Sequence, residues 1–584
     1  MSNILRWEKY FFLGLIIFNL ILRLALSSQP IFHDDVVLAN IADAKTVFNQ
    51  QPSGQMPFPN WLDIFFTGIF GLNNTSLRLT SIISTTLTVL LVYALARRYF
   101  GRRAAVASSI VMSVWMWSIK ASQMNSAADG GLLTLMILLS TYLFLRYEEE
   151  GRPVHLWLTG LAIGLASMTK IVGLVMLPII LIYYLMSKKG FIFSAKKTIY
   201  IGILAIIPIA LFFLSDLLFN KMYILNSILT RLHDVTVTSA GITTISYGVI
   251  FVRLYTYFKI LFWASPLVIM GAIFYMIMMS EKKSGKLRDV RRFLDIQLIF
   301  ICILFLVLTS PYVIISRYIM IIMPILALYF GTLIASLSFK KKELWILGVI
   351  SCVLLVILLV LNSHITLLPI SNTGIIEQRL MHLDFTLGMP FIEETGYSGI
   401  VINMLTIIFS FALIFISFII FIISYIKNHE RPSTSISSFS KYAFLVALSL
   451  GLAFNLLILS EYSMHLNGPN YSASINDLID YGKSHQLNEP IIILNNYELS
   501  YYLRDNYSVF YHNTSIYEID SIKLDQFKQY VYSTGGTIIF NDMPMIDRTG
   551  ELWSIISKCT KIHSFIDKGY EIGYVFDCSS LKSK

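Results

Sequence analysis

Charge is what this sequence has least of. Only 14% of its 584 residues are Asp, Glu, Lys or Arg, against about 25% in an ordinary soluble domain. Four cysteines in so long a chain exclude a scaffold held by a disulfide framework. The 31 Gly and 16 Pro are too few for a collagen-like repeat or a low-complexity linker. Apolar residues fill the space left: 56% of the chain is hydrophobic, with 40 Phe, 32 Tyr and 22 Met. No soluble surface could hide that load, so the composition predicts a polytopic α-helical membrane protein.

About thirteen apolar segments are long enough, or nearly so, to cross a hydrocarbon core of about 30 Å. They cover 10–26, 77–96, 104–121, 128–145, 155–169, 171–186, 199–219, 260–279, 295–309, 313–337, 344–362, 400–426 and 441–460. The break between the fifth and sixth depends on Lys170, and Pro266 is expected to bend the eighth. The first could be read as a cleaved leader, but the outer loop after it carries the best chemical motif, which favours an uncleaved span.

Orientation follows from the bias of Lys and Arg toward cytoplasmic loops. With the N-terminus inside, the inner segments hold 24 of these residues and the outer loops four: Lys45, Lys221, Arg231 and Arg379. The net charge of +10 therefore mostly reflects topology, and no nucleic-acid partner is inferred from it. A multi-pass protein of the cell membrane is expected, with residues 1–464 as its membrane domain. Thirteen crossings bring the chain outside before residues 465–584, which read as an extracytoplasmic α/β domain. Short β-rich runs at 490–495, 507–511, 537–541 and 571–577 alternate there with helical patterns such as Ile475, Leu478, Ile479 and Gly482. No Gly-rich phosphate loop opens any of its helices. Cys559 and Cys578 fall in this domain and are free to pair in an oxidising compartment; sequence alone leaves both states open.

Polar residues collect at the expected outer edge. The loop 27–76 contains His33-Asp34-Asp35, followed by apolar positions 37, 41, 44 and 48 on one face of a short interfacial helix. Adjacent carboxylates at an apolar mouth suit acid–base chemistry, because charge and burial tune their proton affinity. Asp34 is equally readable as the N-cap of that helix, with Asp35 favoured by its dipole. Asp129, Arg78, Lys120, Lys170 and Arg317 also fall at outer span ends. Cations there run against the inner bias and suit an anionic, phosphate-bearing lipid; each is also readable as an anchor or helix-end charge.

In order along the chain, these motifs resemble the C-type glycosyltransferases, the membrane enzymes that use polyprenyl-linked sugars. His33-Asp34-Asp35 is similar to their acidic motif after the first span. Pro57-Phe58-Pro59-Asn60-Trp61-Leu62 resembles the proline-rich turn before the second, and Ser76-Leu77-Arg78-Leu79 and Tyr99-Phe100-Gly101-Arg102 resemble the stretches that flank it. Asp129, Thr169-Lys170 and Ser316-Arg317-Tyr318 match later positions, and the likeness covers residues 10–336. The pattern is nearest the branch of protein O-mannosyltransferases and lipid A aminoarabinose transferases.

The resemblance implies transfer of a sugar from a polyprenyl-phosphate donor to a hydroxyl of an envelope lipid, glycan or protein, with inversion. Asp34 would be the general base and Asp35 would orient the acceptor. Lys170 and Arg317, with Arg78 and Lys120, would neutralise the leaving phosphate; His33, Asp129 and Tyr318 complete the expected substrate contacts. No cofactor is assigned, and a divalent metal is left open. Two departures stand out: Gln55-Met56 precedes Pro57 where relatives often carry a Lys, and Asp35 replaces the commoner Glu. A transporter or lipid flippase is the alternative. Such proteins often show inverted repeats and broken helices near the midplane, whereas here no internal repeat is evident and the polar residues lie at the outer edge.

Overall fold

The structure, a computed structural model, describes residues 2–27, 57–124, 131–218, 254, 265–278, 285–308, 320–337, 339–367, 378–379, 381–393, 396–429, 438–494, 496–512, 521–543 and 545–582. His33, Asp34, Asp35, the interfacial helix expected after them, Asp129, Arg317 and Tyr318 lie outside these residues.

Among the described residues, each of the apolar segments overlaps a helix or a helix pair. In order these are α1 (Ser2–Leu24), α3 (Asn74–Tyr99), α4 with α5 (Arg102–Val114, Met116–Gln123), α6 (Gly131–Glu150) and α7 (Pro153–Thr169). They continue with α8 (Met176–Met186), α9 (Phe191–Leu218), α10 (Pro266–Met278), α11 (Lys286–Leu308) and α12 (Met323–Ser336). Last come α13 (Lys341–Leu361), α14 (Met404–His429) and α15 (Ser438–Met464), while α2 (Pro57–Phe70) is an additional short helix before α3. Among the described residues, six helices are long and apolar enough to cross a membrane, or seven if the pair α4–α5, bent by 54°, is one span.

Three local expectations are refined. Pro266 opens α10, at the position where its missing N–H costs nothing; residues 260–264 of that segment lie outside the described residues. The span expected from residue 400 begins at Met404, because Gly396–Asn403 form strand β2, paired antiparallel with β1 (Gly388–Glu393). At the break after α7, Lys170 is extended (φ −158°, ψ 137°) and the chain resumes as a 3₁₀ turn, Ile171–Val175, before α8. Gly173 makes that reversal possible, since a Cβ there would lie 2.3 Å from the carbonyl carbon of Ala166.

The chain forms two compact units. The first holds α1 to α12 and is ordered by charge at both ends. At one end, residues expected to be cytoplasmic pair with one another: Arg97 with Glu8 (3.0 Å), Arg98 with Glu149 (2.7 Å) and Glu150 (2.5 Å), and Lys189 with Glu148 (2.5 Å). The start of α1 and the ends of α3 and α6 therefore share one end, as alternating spans require.

In the second unit, buried Glu461 of α15 accepts hydrogen bonds from the amide of Asn362 (3.3 Å) and the backbone N–H groups of Asn467 (3.1 Å) and Gly468 (3.1 Å). Asn362 in turn accepts from the N–H of Asn403 (2.8 Å). One carboxylate thereby joins the ends of α13 and α15 to the start of α14. The same unit contains a five-stranded sheet in the order β4-β3-β5-β7-β6, formed by β3 (Ile491–Leu494), β4 (Val509–His512), β5 (Thr537–Asn541), β6 (Thr560–Asp567) and β7 (Tyr570–Asp577). β3 is parallel to β4 and β5, and β7 is antiparallel to β5 and β6.

The apolar run at 491–494 is buried throughout, as a strand covered on both faces must be. Ile491 and Ile493 pack under α16 (Tyr471–Ser484) and α17 (Tyr497–Leu503). Ile492 and Leu494 pack under α18 (Ser521–Thr534) and α19 (Glu551–Ile556). Strand β6 was not anticipated: its exposed, charged residues give no alternating apolar signal, and it exists because β7 offers it an edge. Cys559 and Cys578, at the open ends of these two strands, form a disulfide.

Thiol counting tests that bond. Alkylation of the denatured chain without reductant should modify Cys302 and Cys352 only, and all four cysteines after reduction; four modified thiols without reductant would refute it. A second test concerns Asp542, fully buried beside Arg548. Burial pushes its carboxyl up to about 6, and the guanidinium opposes that only in part. The folded domain thus keeps a proton that the unfolded chain releases near pH 4. This stabilising contribution is full below about pH 4 and is lost as pH rises through about 6. In pulse proteolysis followed on peptides from 537–577, Asp542→Asn should remove that fall in stability; an unchanged pH profile would refute the assignment.

Candidate functional site

The helix ends opposite the charged layer carry a buried polar network built on two guanidinium groups. Arg78, in the first turns of α3, is completely buried. Its Nε donates to the carbonyl of Gln123 (2.7 Å) and its Nη1 to the carbonyl of Ser27 (2.7 Å). One side chain therefore clamps the end of α5 to the turn that follows α1. Ser27 is the last described residue before the acidic loop, and its hydroxyl also lies 3.0 Å from that of Thr75.

Arg23, also fully buried, sits one turn deeper on α1. It donates to Thr85 (3.1 Å), Ser118 (2.9 Å) and the side-chain oxygen of Asn19 (2.5 Å). Asn19 donates to Ser113 (3.0 Å), and Gln123 returns a bond to the carbonyl of Arg23 (2.9 Å). Ser113 and Ser118 flank the bend between α4 and α5 at Trp115, which is extended (φ −68°, ψ 124°). A helix broken inside a membrane needs polar partners at the break; Arg23 and Asn19 place two side-chain contacts there. The pair is bent by 54° there, and α5 beyond the bend carries Lys120 and Gln123.

The other end of the acidic loop is also held. α2 begins at Pro57 within the proline-rich turn and packs on α3 and α7. Buried Asp63 accepts a hydrogen bond from Thr80 of α3 (2.6 Å). Both anchors of the loop thus rest on the first two turns of α3, where Asn73 and Ser76 form a capping box.

Of the cations expected at the site, Lys120 is buried, with its Nζ 5.6 Å from the ring centre of Trp117. Lys170 occupies the break between α7 and the 3₁₀ turn, which packs on α6. Arg78 and Arg23 are joined through Gln123, the last residue of α5, and Lys120 lies on the same helix. Asn19, Arg23 and Asp63 were not singled out from sequence. The signal existed, since an Asn and an Arg four residues apart inside an apolar helix share a face and require buried partners. Among the described residues, no group of three or more His, Cys, Asp or Glu side chains could hold a metal ion.

This arrangement is shared, as a fold, with solved structures. In particular, the chain has the fold of ArnT from Cupriavidus metallidurans: the apo structure matches with a TM-score of 0.55 at 14% identity, covering 99% of each chain. The same enzyme bound to undecaprenyl phosphate matches at 0.53, again at 14% identity and 99% of each chain. In sequence, residues 51–215 match the family described as dolichyl-phosphate-mannose-protein mannosyltransferase.

Two candidate mannosyltransferases of Bacillus subtilis (strain 168) are also similar. YycA is 27% identical over 144 residues, 24% of this chain and 20% of that protein. YkcB is 29% identical over 132 residues, 22% and 18% respectively. The matched segment spans about a fifth of the length of these relatives. The likeness drawn from the motifs is thus found in sequence over α2 to α9 and in fold over the whole chain.

The clamp makes a stability prediction. Arg78→Ala strands two buried carbonyls and should cost roughly 3 kcal/mol or more. Arg98→Ala, which removes a partly exposed ion pair, should cost about 1 kcal/mol or less. Melting of the purified protein in detergent compares them, and equal losses would show that Arg78 carries no special load.

Proposed function

We propose that the chain is a glycosyltransferase that moves a sugar from a polyprenyl-phosphate donor to a hydroxyl of an envelope lipid, glycan or protein, with inversion. The observation that carries this reading is the coincidence of two independent likenesses: a mannosyltransferase-family sequence over 51–215 and an ArnT-like fold over 99% of the chain. The undecaprenyl phosphate bound by ArnT supports the class of donor.

In this reading the N-terminus is cytoplasmic, the apolar segments make thirteen crossings, and residues 465–584 are extracytoplasmic. Asp34 takes the proton of the acceptor hydroxyl as its oxygen attacks the anomeric carbon. The bond from that carbon to the phosphate oxygen breaks, and its electron pair leaves with polyprenyl phosphate. Asp35 orients the acceptor, and His33, Asp129 and Tyr318 contact the substrates. Lys120, Lys170 and Arg317 stabilise the charge growing on the phosphate, a contribution strongest where water is excluded. Arg78 joins them as a further cation for the phosphate, and its bonds to two backbone carbonyls also set one end of the acidic loop.

The test is incubation of the purified protein with a panel of polyprenyl-phosphate sugars and hydroxyl acceptors, read by mass spectrometry. Wild type should release polyprenyl phosphate from at least one donor. Asp34→Asn should melt at the same temperature yet lose about a hundredfold or more in rate. Near-full activity of that variant would remove Asp34 from the mechanism, and absence of turnover with every donor would remove the transferase reading.

A further inference from the structure

A cavity of about 560 Å³ opens between α8 and α11, away from the network just described. Its lining divides by chemistry along α11. Arg288, Arg291 and Arg292 stand at one end, and Ile296, Ile299 and Ile303 continue the same face at the spacing of successive helical turns. The distance from Arg288 to Ile303 is about 22 Å at 1.5 Å per residue, comparable with one leaflet of a bilayer including its headgroup layer. The basic end belongs to the charged, expected cytoplasmic layer: Met186 of α8 lines the cavity, and Lys189, three residues on, pairs with Glu148.

Arg291 is the informative residue. It is 4% exposed, and its Nη2 donates to the carbonyls of Tyr275 (3.2 Å) and Met276 at the end of α10. Among the described residues, its Nη1 is buried without a hydrogen-bond partner. The carboxylate of Asp295 lies 3.5 Å from Nε and accepts a bond from Tyr329 (2.6 Å), so its charge is shared. Arg292 has a loose partner in Asp289 at 3.7 Å, and its side chain is 31% exposed. Three guanidinium groups against one lining carboxylate leave the mouth cationic, with a buried donor unused. Below it, Ile299 and Ile303 are 49% and 54% exposed, as side chains facing lipid would be.

We infer that this cavity is a binding site for the phosphate headgroup of an anionic phospholipid of the cytoplasmic leaflet, with an acyl chain along Ile296, Ile299 and Ile303. Phosphate is the anion that a cluster of guanidinium groups grips best, through paired N–H donors. The apolar groove continuing into the bilayer distinguishes a lipid from a soluble phosphate. The site is independent of the transferase reading and lies at the opposite end of the helices.

Native mass spectrometry of the full-length protein, titrated with phosphatidylglycerol, phosphatidylcholine or inorganic phosphate, tests the assignment. Wild type should retain phosphatidylglycerol at a concentration at least tenfold below that needed for phosphatidylcholine. Inorganic phosphate should displace it only at large excess. The double variant Arg288→Gln/Arg292→Gln, altering an exposed and a half-exposed side chain, should abolish that preference. Ile299→Trp, which fills the groove without touching the charges, should weaken both lipids at least fivefold and serves as a second test should the double variant fail to fold. Equal retention of the two lipids by wild type, or unchanged phosphatidylglycerol retention in Ile299→Trp, would overturn the proposal. Displacement by phosphate at equal concentration would reassign the cavity to a soluble anion.

Discussion

Arg78 and Arg23 are buried charges in an apolar bundle, and the first compact unit is arranged around satisfying them. A guanidinium has five donors and no acceptor, so each must find oxygens contributed by other elements. Arg78 finds them on the backbones of Ser27 and Gln123; Arg23 finds them on Asn19, Thr85 and Ser118. These requirements bring together the end of α1, the start of α3 and the broken α4–α5 pair. An uncharged substitute could pack there, but it would not dictate which three segments meet.

The proposed function depends on that meeting, because the acidic loop joins Ser27 to Pro57. The loop leaves from Ser27 and returns at Pro57, and both attachment points are referred to the first turns of α3. General-base chemistry requires a carboxylate within hydrogen-bond reach of its acceptor. A loop whose ends were free would spread that distance over many conformations. The buried network removes this freedom at the anchors, while α5, beyond the bend at Trp115, carries Lys120. At the other end, exposed ion pairs join helices through flexible, hydrated side chains, where such pairs contribute little stability. The two ends are therefore held by different physics.

Much of this was legible before any coordinates. The apolar segments each met a helix because twenty or so apolar residues in lipid have little choice but to satisfy their backbone internally. The parallel core of the sheet was readable from Ile491–Leu494, whose burial on both faces leaves an uninterrupted apolar run. The start of α10 at Pro266 was not legible, because proline opening a helix and proline bending one look alike in sequence. β6 was invisible, since none of its residues is buried and its pairing to β7 is a property of the partner strand. Arg23 was passed over because a lone cation in a span shows its cost, but not its partners.

Sequence by itself determined the apolar character of this protein, the order of its helices and which charges would gather at one end of the first unit, since each follows from local composition. It also carried a likeness that is found again in sequence over residues 51–215. Tertiary structure alone decided that Arg78 holds backbone carbonyls, that Arg23 spans a broken helix, and that Arg291 faces an amphiphilic cavity. Hydrogen bonds between residues 45 to 100 positions apart arise from chain closure, and no window of local sequence encodes which donor meets which acceptor.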